Sequence, residues 1–87
     1  MSHPAVYRYV IDVDDHWHTF DLSGAILHVG TRRPDVVEFW AFHSGGPTFA
    51  REFRVFGTGQ PLDEDCRHVG STLAADGALV WHLMERR

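Results

Sequence analysis

The chain has one cysteine, no lysine and no asparagine among its 87 residues. The single thiol, Cys66, cannot build an internal disulfide or a metal site made of cysteines alone, so we expect it to pack as a small apolar side chain. The missing lysine excludes a P-loop of the GxxxxGK[ST] type, because that lysine contacts the bound phosphates. An internal disulfide framework and a P-loop nucleotide site are therefore excluded.

Positive charge is also scarce, since eight basic residues face twelve acidic ones and the formal net charge is −4. Such a chain lacks the general positive field that attracts nucleic acids and the polybasic patch that attracts anionic membranes. No apolar run approaches the ~20 residues of a membrane-spanning helix, and no secretion signal opens the sequence. We therefore expect a cytoplasmic protein without membrane or general nucleic-acid binding, in which local arginines must hold any anion.

Apolar and aromatic residues are plentiful. The chain is 44% hydrophobic and contains three Trp, two Tyr and six Phe, which is enough to build a core at this length. We find no linker, no repeat and no low-complexity tract. The sequence therefore predicts one folded domain over residues 1–87.

Alternation of apolar and polar residues is the main structural signal. In residues 5–13 the apolar side chains recur at every second position, with Arg8 and Asp12 between them, as in a half-buried strand. Similar segments recur at about ten-residue spacing between turns rich in Gly, Pro and Asp. This pattern predicts an all-β fold, a small sandwich or barrel-like antiparallel sheet of six to seven short strands with little or no helix. The turn at Ser23-Gly24 further predicts a hairpin over residues 16–31.

The seven histidines raise the question of a metal site. His16 and His18 lie two apart on an extended segment, and the predicted hairpin would bring His28 opposite His18, so the three could bind one metal ion. A metal ion bound by these three histidines would make the protein a metal-dependent enzyme. Against this, the sequence has no HExxH motif, and strand histidines commonly bond a carbonyl group or water. We predict no cofactor and no catalytic residue, and we leave enzyme activity open while leaning against it.

Two glycine-containing segments, FGTG (residues 56–59) and HVGST (residues 68–72), suggest a ligand site. Glycines expose backbone N–H groups, hydroxyl groups add donors, and a guanidinium can pair with an anion. Bends or β-bulges in a curved sheet are the ordinary explanation of such segments and remain the alternative. The predicted ligand-binding residues are Arg51, Arg54, Phe56, Gly57, Thr58, Gly59, Gly70, Ser71 and Thr72, with His82 and Trp40 as further contacts.

Aromatic residues on the predicted central strands have several readings. Trp40, Phe42, Phe56 and Trp81 lie on segments that should be buried, so packing is their ordinary role. Stacking on a nucleobase is an alternative. A surplus of aromatic surface can also bury a subunit interface, which protects exposed sheet edges. We therefore expect a homo-oligomer.

The segments 16–42, 53–62 and 69–86 together resemble a domain-of-unknown-function family of short proteins from actinobacteria and their phages. FRVFGTG and the later VGST and VWHL are the most specific parts of the resemblance. The lack of Lys and Asn also fits a genome rich in G and C. The family implies no activity, but a phage origin would place the protein in the cytoplasm of a bacterial host.

These observations lead to one main hypothesis and two alternatives. The main hypothesis is a non-catalytic, oligomeric protein that binds a small anionic ligand, such as a nucleotide-derived signal that a phage sequesters against host defence. The first alternative is a protein-binding module or phage inhibitor of a host protein. The second is the histidine-based metal-dependent enzyme described above.

Overall fold

The computed structural model describes residues 3–62 and 65–87 of the chain. All regular elements in these ranges are β-strands, as the alternating apolar pattern predicts. The seven strands are β1 (Ala5–Asp12), β2 (His18–Leu22), β3 (Ile26–Gly30), β4 (Val36–His43), β5 (Phe49–Gly57), β6 (Cys66–Leu73) and β7 (Val80–Arg86).

The strands form two antiparallel sheets that pack against each other. A three-stranded sheet has the order β1-β4-β3, and a four-stranded sheet has the order β2-β5-β7-β6. This arrangement confirms the predicted all-β sandwich of six to seven strands. Among the described residues no helix is long and apolar enough to cross a membrane.

The predicted hairpin over residues 16–31 is wrong. β2 pairs with β5 in one sheet, whereas β3 pairs with β4 in the other. The bend at Gly24 carries the chain between the sheets and is pressed against β4, where a Cβ atom on Gly24 would lie 2.3 Å from the Phe42 carbonyl oxygen. Both strands have an apolar face, and stacking these faces across the sandwich buries more apolar surface than placing the strands side by side.

The core lies between the two sheets and is centred on aromatic rings. Tyr9 stacks on Phe39 with ring centroids 5.2 Å apart, and Phe20 meets Phe39 edge-on at the same distance. Phe53, from the opposite sheet to Phe39, lies 5.3 Å from that ring. Each such pair stabilises the fold by about 0.5–1.5 kcal/mol beyond the area that it buries. Core packing is therefore the main role of these four rings. Of the aromatic residues whose burial the sequence predicted, Phe56 is buried, Trp40 and Trp81 are half-buried, and Phe42 is 40% exposed because it lies on the outer side of β4.

A β-bulge interrupts the pairing of β6 with β7. Opposite Met84 and Leu83, which are consecutive, β6 places His68 and Gly70, so Val69 is the extra residue. A bulge of this kind reverses the inward and outward alternation of the strand that follows it. As a result, His68 and Ser71 share the outer face of the four-stranded sheet although they are three residues apart.

Candidate functional site

A pocket lies on the outer face of the four-stranded sheet, and we call it the outer-face pocket. Alternation along β5 and β7 turns Val55 and Leu83 into the core and their neighbours outward. The cavity has a volume of about 250 Å³, close to the lower end of the usual range for ligand sites. Its lining residues are Phe56, Gly57, Thr58, Gly59, Gln60, Leu62, His68, His82 and Met84.

The floor of the outer-face pocket is apolar and held in place. Phe56 is 1% exposed and Met84 is 5% exposed, although both face away from the main core. The Trp17 ring meets the Phe56 ring edge-on, with centroids 6.1 Å apart, and the Arg54 guanidinium lies 4.4 Å from the Phe56 centroid. These contacts fix the floor before any ligand arrives, which lowers the entropy cost of binding.

A tight turn after β5 forms one wall of the pocket. The Gln60 backbone N–H donates to the Gly57 carbonyl at 3.1 Å, and the Gly57 N–H donates to Gln60 Oε1 at 3.1 Å. Gly59 has a φ of +89°, a conformation that side-chain-bearing residues rarely adopt. The glycine at this position is therefore required by the turn itself.

A chain of four polar side chains borders the apolar floor. His82 Nε2 lies 2.8 Å from Thr58 Oγ1, and His82 Nδ1 lies 2.7 Å from Ser71 Oγ. His68 Nε2 lies 2.7 Å from the same Ser71 oxygen. We call Thr58, His82, Ser71 and His68 the histidine–hydroxyl chain. It joins the two glycine-containing segments that the sequence singled out.

Proton counting shows what the histidine–hydroxyl chain can offer a ligand. The Ser71 hydroxyl has one proton, so it can donate to one imidazole while it accepts from the other. When both rings present an N–H group to Ser71 Oγ, the oxygen accepts two hydrogen bonds and the hydroxyl proton points toward the cavity. The hydroxyl is then a free donor that can bond an anion.

Arg54 lies on the same outward face and is only weakly paired. Its Nη2 donates to Asp15 Oδ1 at the long distance of 3.5 Å. Its Nε is buried and has no hydrogen-bond partner among the described residues. The Gln60 amide also reaches Asp15 Oδ1 at 3.5 Å, so Asp15 links the turn to Arg54. Part of the donor capacity of this guanidinium is unused.

Arg51, also predicted to bind a ligand, is committed elsewhere. It points to the inner side of β5, where its Nε and Nη2 donate to the buried carboxylate of Glu85 at 2.6 and 2.7 Å. Arg67 adds a third bond to Glu85 at 2.8 Å. The Arg51 hydrogen bond is the main cause that lowers the pKa of Glu85, against the effect of its desolvation. Arg51 and Arg54 are three apart on a regular strand, so they must face opposite sides.

The other predicted ligand residues divide between the two sides of the sheets. Phe56, Gly57, Thr58, Gly59 and His82 line the outer-face pocket, and Ser71 joins it through His82. Three others lie away from it. Gly70 faces Val29 across the core, Thr72 pairs with Trp81 on the inner side of β6, and Trp40 lies on the other sheet beside His28.

The three histidines of the predicted metal site do not meet. His18 Nε2 bonds Asp14 Oδ1 at 2.8 Å, and the His16 backbone N–H donates to the same oxygen at 3.0 Å. His28 lies on the other sheet, with its ring 5.3 Å from the Trp40 ring. Within residues 3–62 and 65–87 no group of three or more His, Cys, Asp or Glu could hold a metal ion. The difference follows from the missing hairpin.

Four lining residues were not predicted. Met84 could have been found, because it lies two positions after His82 on the same strand face. His68 could not, since its three-residue spacing from Ser71 places the two on opposite faces unless the bulge is known. Gln60 and Leu62 enter the wall because the turn folds back over β5, which a linear pattern does not show.

The chain was compared with known proteins. A family model described as a domain of unknown function, DUF7352, matches residues 3–87. The match confirms the resemblance to a domain-of-unknown-function family, while the actinobacterial or phage origin stays a prediction. Searches of curated proteins and of solved structures find no significant match.

Proposed function

The chain belongs to the family of domains of unknown function DUF7352, and we propose that this member binds a small anionic ligand in the outer-face pocket. The observation that carries the proposal is the histidine–hydroxyl chain at the border of an apolar cavity. His82 bonds Ser71 at 2.7 Å and Thr58 at 2.8 Å, and it joins the two glycine segments at one surface. An apolar pocket with a few convergent polar groups is the usual form of a ligand site.

The pocket suits a ligand with two parts. A flat apolar ring fits against Phe56 and Met84, and an acidic group fits against His68, Ser71 and His82. Arg54 is not a lining residue, but its guanidinium lies against the Phe56 floor and its bond to Asp15 is long, so it adds positive charge beside the pocket. The volume of about 250 Å³ limits the enclosed part to roughly one ring and one acidic group.

Nucleotide-derived signals combine a flat ring with phosphate groups and are the first ligands to test. We propose that the protein holds such a molecule without converting it. In a phage-encoded protein this activity would sequester a host signal and oppose host defence. The biological role rests on the resemblance to phage proteins, and the binding itself rests on the pocket.

The test is a thermal-shift screen against nucleotides and cyclic dinucleotides, followed by calorimetric titration of each compound that raises the melting temperature. We expect His82→Gln and Arg54→Ala each to weaken binding by about tenfold, the value of one charge-assisted hydrogen bond. His3→Gln is the matched control, because it removes an exposed imidazole that lines neither this pocket nor the cavity on the other sheet. Equal affinity in His82→Gln, Arg54→Ala and the control would rule out this pocket as the binding site.

Protein binding is a second candidate function, favoured by the outer face of the three-stranded sheet. Val6 and Phe42 are register partners that face outward there, and they are 54% and 40% exposed, so they form a joined apolar surface. We propose that this end of the face, away from Glu38, is the surface of a homo-oligomer or of a complex with another protein. Sedimentation of the wild type and of Val6→Glu tests the oligomer, since a buried charge there would dissociate it.

A further inference from the structure

A second polar site lies on the outer face of the three-stranded sheet. Glu38, on β4, faces outward beside Val10 of β1, yet it is only 2% exposed. It is covered by arginines from two other parts of the chain. We call Arg8, Arg32, Arg33 and Glu38 the arginine site.

Two arginines hold the Glu38 carboxylate by specific bonds. Arg32 donates from Nε to Oε1 and from Nη2 to Oε2, both at 2.8 Å, in the bidentate geometry of guanidinium–carboxylate pairs. Arg8 donates from Nη1 to Oε2 at 2.9 Å. The bond from Arg32 is the main cause that lowers the pKa of Glu38, so the carboxylate stays ionised and the two guanidiniums stay in place.

A third arginine adds charge that the carboxylate does not need. The Arg33 side chain is exposed and donates no hydrogen bond to the described residues, although the Arg33 backbone carbonyl accepts from Thr31 Oγ1 at 2.9 Å. The charge of its guanidinium is near enough to lower the pKa of Glu38. Three guanidiniums and one carboxylate leave a local net charge of +2, in a chain whose formal charge is −4. Arg32 alone already satisfies both carboxylate oxygens. Compensation of Glu38 therefore does not account for Arg33 or for the free donors of Arg8.

An open cavity lies among these charges. Its volume is about 400 Å³, and Arg8, Arg32, Arg33 and Glu38 are its lining residues. Arg8 and Arg32 are half and two-thirds exposed in their side chains, so their remaining N–H groups are open to solvent. Glu38 is the only acidic residue in the lining, and its oxygens are already bonded. The free hydrogen-bond donors of the cavity therefore all belong to positively charged guanidiniums.

An aromatic ring lies beside the arginine site. Trp40 is the register partner of Arg8 on the neighbouring strand. The Trp40 and His28 rings both lie against Gly30, where a Cβ atom would lie 3.5 Å from Trp40 Cζ3 and 3.4 Å from His28 Nε2, and Gly30 is the register partner of Glu38. The two rings lie outside the cavity lining, so a flat group attached to an anion in the cavity would have to extend past Gly30 to reach them.

We infer that the arginine site binds the phosphate group of a small phosphorylated molecule, independently of the outer-face pocket. A phosphate monoester carries nearly two negative charges at neutral pH, which matches the local net charge of +2. Arg32 and Arg8, fixed by Glu38, present their free N–H groups to its oxygens, and Arg33 closes on it from solvent. Planar guanidiniums are the side chains best suited to such oxygens.

The test is titration of the full chain with inorganic phosphate and with AMP, followed by two-dimensional NMR of the backbone amides. Saturable shifts at residues 8, 32 and 33 are expected, and Arg33→Gln should weaken binding by about tenfold. The Arg33 side chain donates no hydrogen bond to the described residues, and the substitution leaves the bond from Thr31 to the Arg33 backbone carbonyl in place, so the melting temperature should not change. Arg87→Gln, which removes the same charge at the end of the other sheet, should leave the affinity within about twofold.

The outcomes separate this site from the outer-face pocket. Loss of binding in Arg33→Gln but not in His82→Gln supports the arginine site, and tighter binding of AMP than of phosphate identifies a ligand whose ring reaches Trp40. Equal affinities for the two compounds identify the bare phosphate group as the ligand. The inference is overturned if no saturable binding occurs up to about 10 mM. It is equally overturned if Arg33→Gln and Arg87→Gln have the same effect.

Discussion

Replacing Gly70 with alanine tests whether this glycine serves a ligand or the packing of the two sheets. The added Cβ would lie 2.6 Å from Val29 Cγ2 and 3.2 Å from Val29 Cβ, well inside the ~3.5–4.0 Å at which carbon atoms make favourable contact. Val29 is a buried β-branched residue whose side chain is stiff about χ1. It cannot turn away cheaply, so the sheets must separate locally.

The cost follows from two opposing effects. Inserting a methyl group into a well-packed core destabilises by about 1–3 kcal/mol. Gly70 is not among the glycines with positive φ, so alanine can adopt its backbone conformation, and the reduced entropy of the unfolded chain returns about 0.4–1 kcal/mol. We expect a net loss of about 1–2 kcal/mol in the free energy of unfolding. For a domain of this size that lowers the melting temperature by about 4–16 °C.

Val29→Ala supplies the partner for a double-mutant cycle. Alone it removes two buried methyl groups and should cost about 1.6 kcal/mol plus a cavity contribution. In the Val29→Ala background the Gly70→Ala methyl no longer meets Cγ2 and partly fills the space, so its cost should fall to within about 0.5 kcal/mol of zero. The assay is urea unfolding followed by tryptophan fluorescence, with m-values compared to verify two-state behaviour.

Equal costs of Gly70→Ala in the two backgrounds would refute the steric argument. Ligand binding provides an independent check, because the added methyl points into the core and not into the outer-face pocket. We therefore expect Gly70→Ala to keep the affinity of the wild type at temperatures where it is folded. A loss of affinity without a loss of stability would instead return Gly70 to the ligand site that the sequence predicted.

Three further perturbations test the network of charges and the turn. Glu85→Gln should lower the free energy of unfolding by roughly 2–4 kcal/mol, which urea midpoints measure. This loss is below the usual ~3–5 kcal/mol for breaking a buried ion pair, because the Arg67 side chain is half exposed. The pKa values of Glu38 and Glu85 lie below their ordinary 4.5 because Arg32 and Arg51 donate hydrogen bonds to these carboxylates. As the pH falls, the unfolded chain therefore takes up protons at these two groups before the folded chain does. Their contribution to stability is complete above pH 4.5 and should be lost as the pH falls below 4.5. In Glu38→Gln that acid-dependent loss should be smaller, and an unchanged slope between pH 3 and 5 would contradict the assignment. Gly59→Ala should lower the free energy of unfolding by about 1 kcal/mol because the φ of Gly59 is +89°, although nothing lies within 4 Å of the added Cβ. An unchanged melting temperature would show instead that the turn relaxes to accept alanine.

The outer-face pocket and the arginine site are two proposed anion-binding surfaces on opposite faces of the sandwich. The outer-face pocket relies on imidazoles over an apolar floor, whereas the arginine site relies on permanent charges around a buried carboxylate. Binding at the arginine site should therefore weaken more steeply than binding in the outer-face pocket as the salt concentration rises. Titrations at two or more salt concentrations distinguish the two sites even with a single phosphorylated ligand.

Much of the fold could be predicted from the sequence because period-two alternation is a local property. The β5 pattern already separated Phe53 and Val55 from Arg54, and the β7 pattern separated Leu83 from His82 and Met84. The faces of these strands, and hence half of the outer-face pocket, follow from the pleat alone. The turn at Gly57–Gly59 was equally visible from its composition.

Other features depend on contacts between residues far apart in sequence. A bend reads the same whether it joins two strands of one sheet or carries the chain to the other sheet, so the Ser23-Gly24 turn could not reveal that His18 and His28 separate. The bulge at Val69 arises from pairing with β7, and only that pairing puts His68 beside Ser71.

The sequence by itself therefore determined the strands, their faces and the all-β class of the fold, since these depend on neighbours along the chain. The tertiary structure alone decided which arginines are already paired. Arg51 is bound to Glu85, while Arg54 and Arg33 keep unused donors among the described residues. An ion pair across strands depends on sheet order and register, and no local pattern encodes either of them.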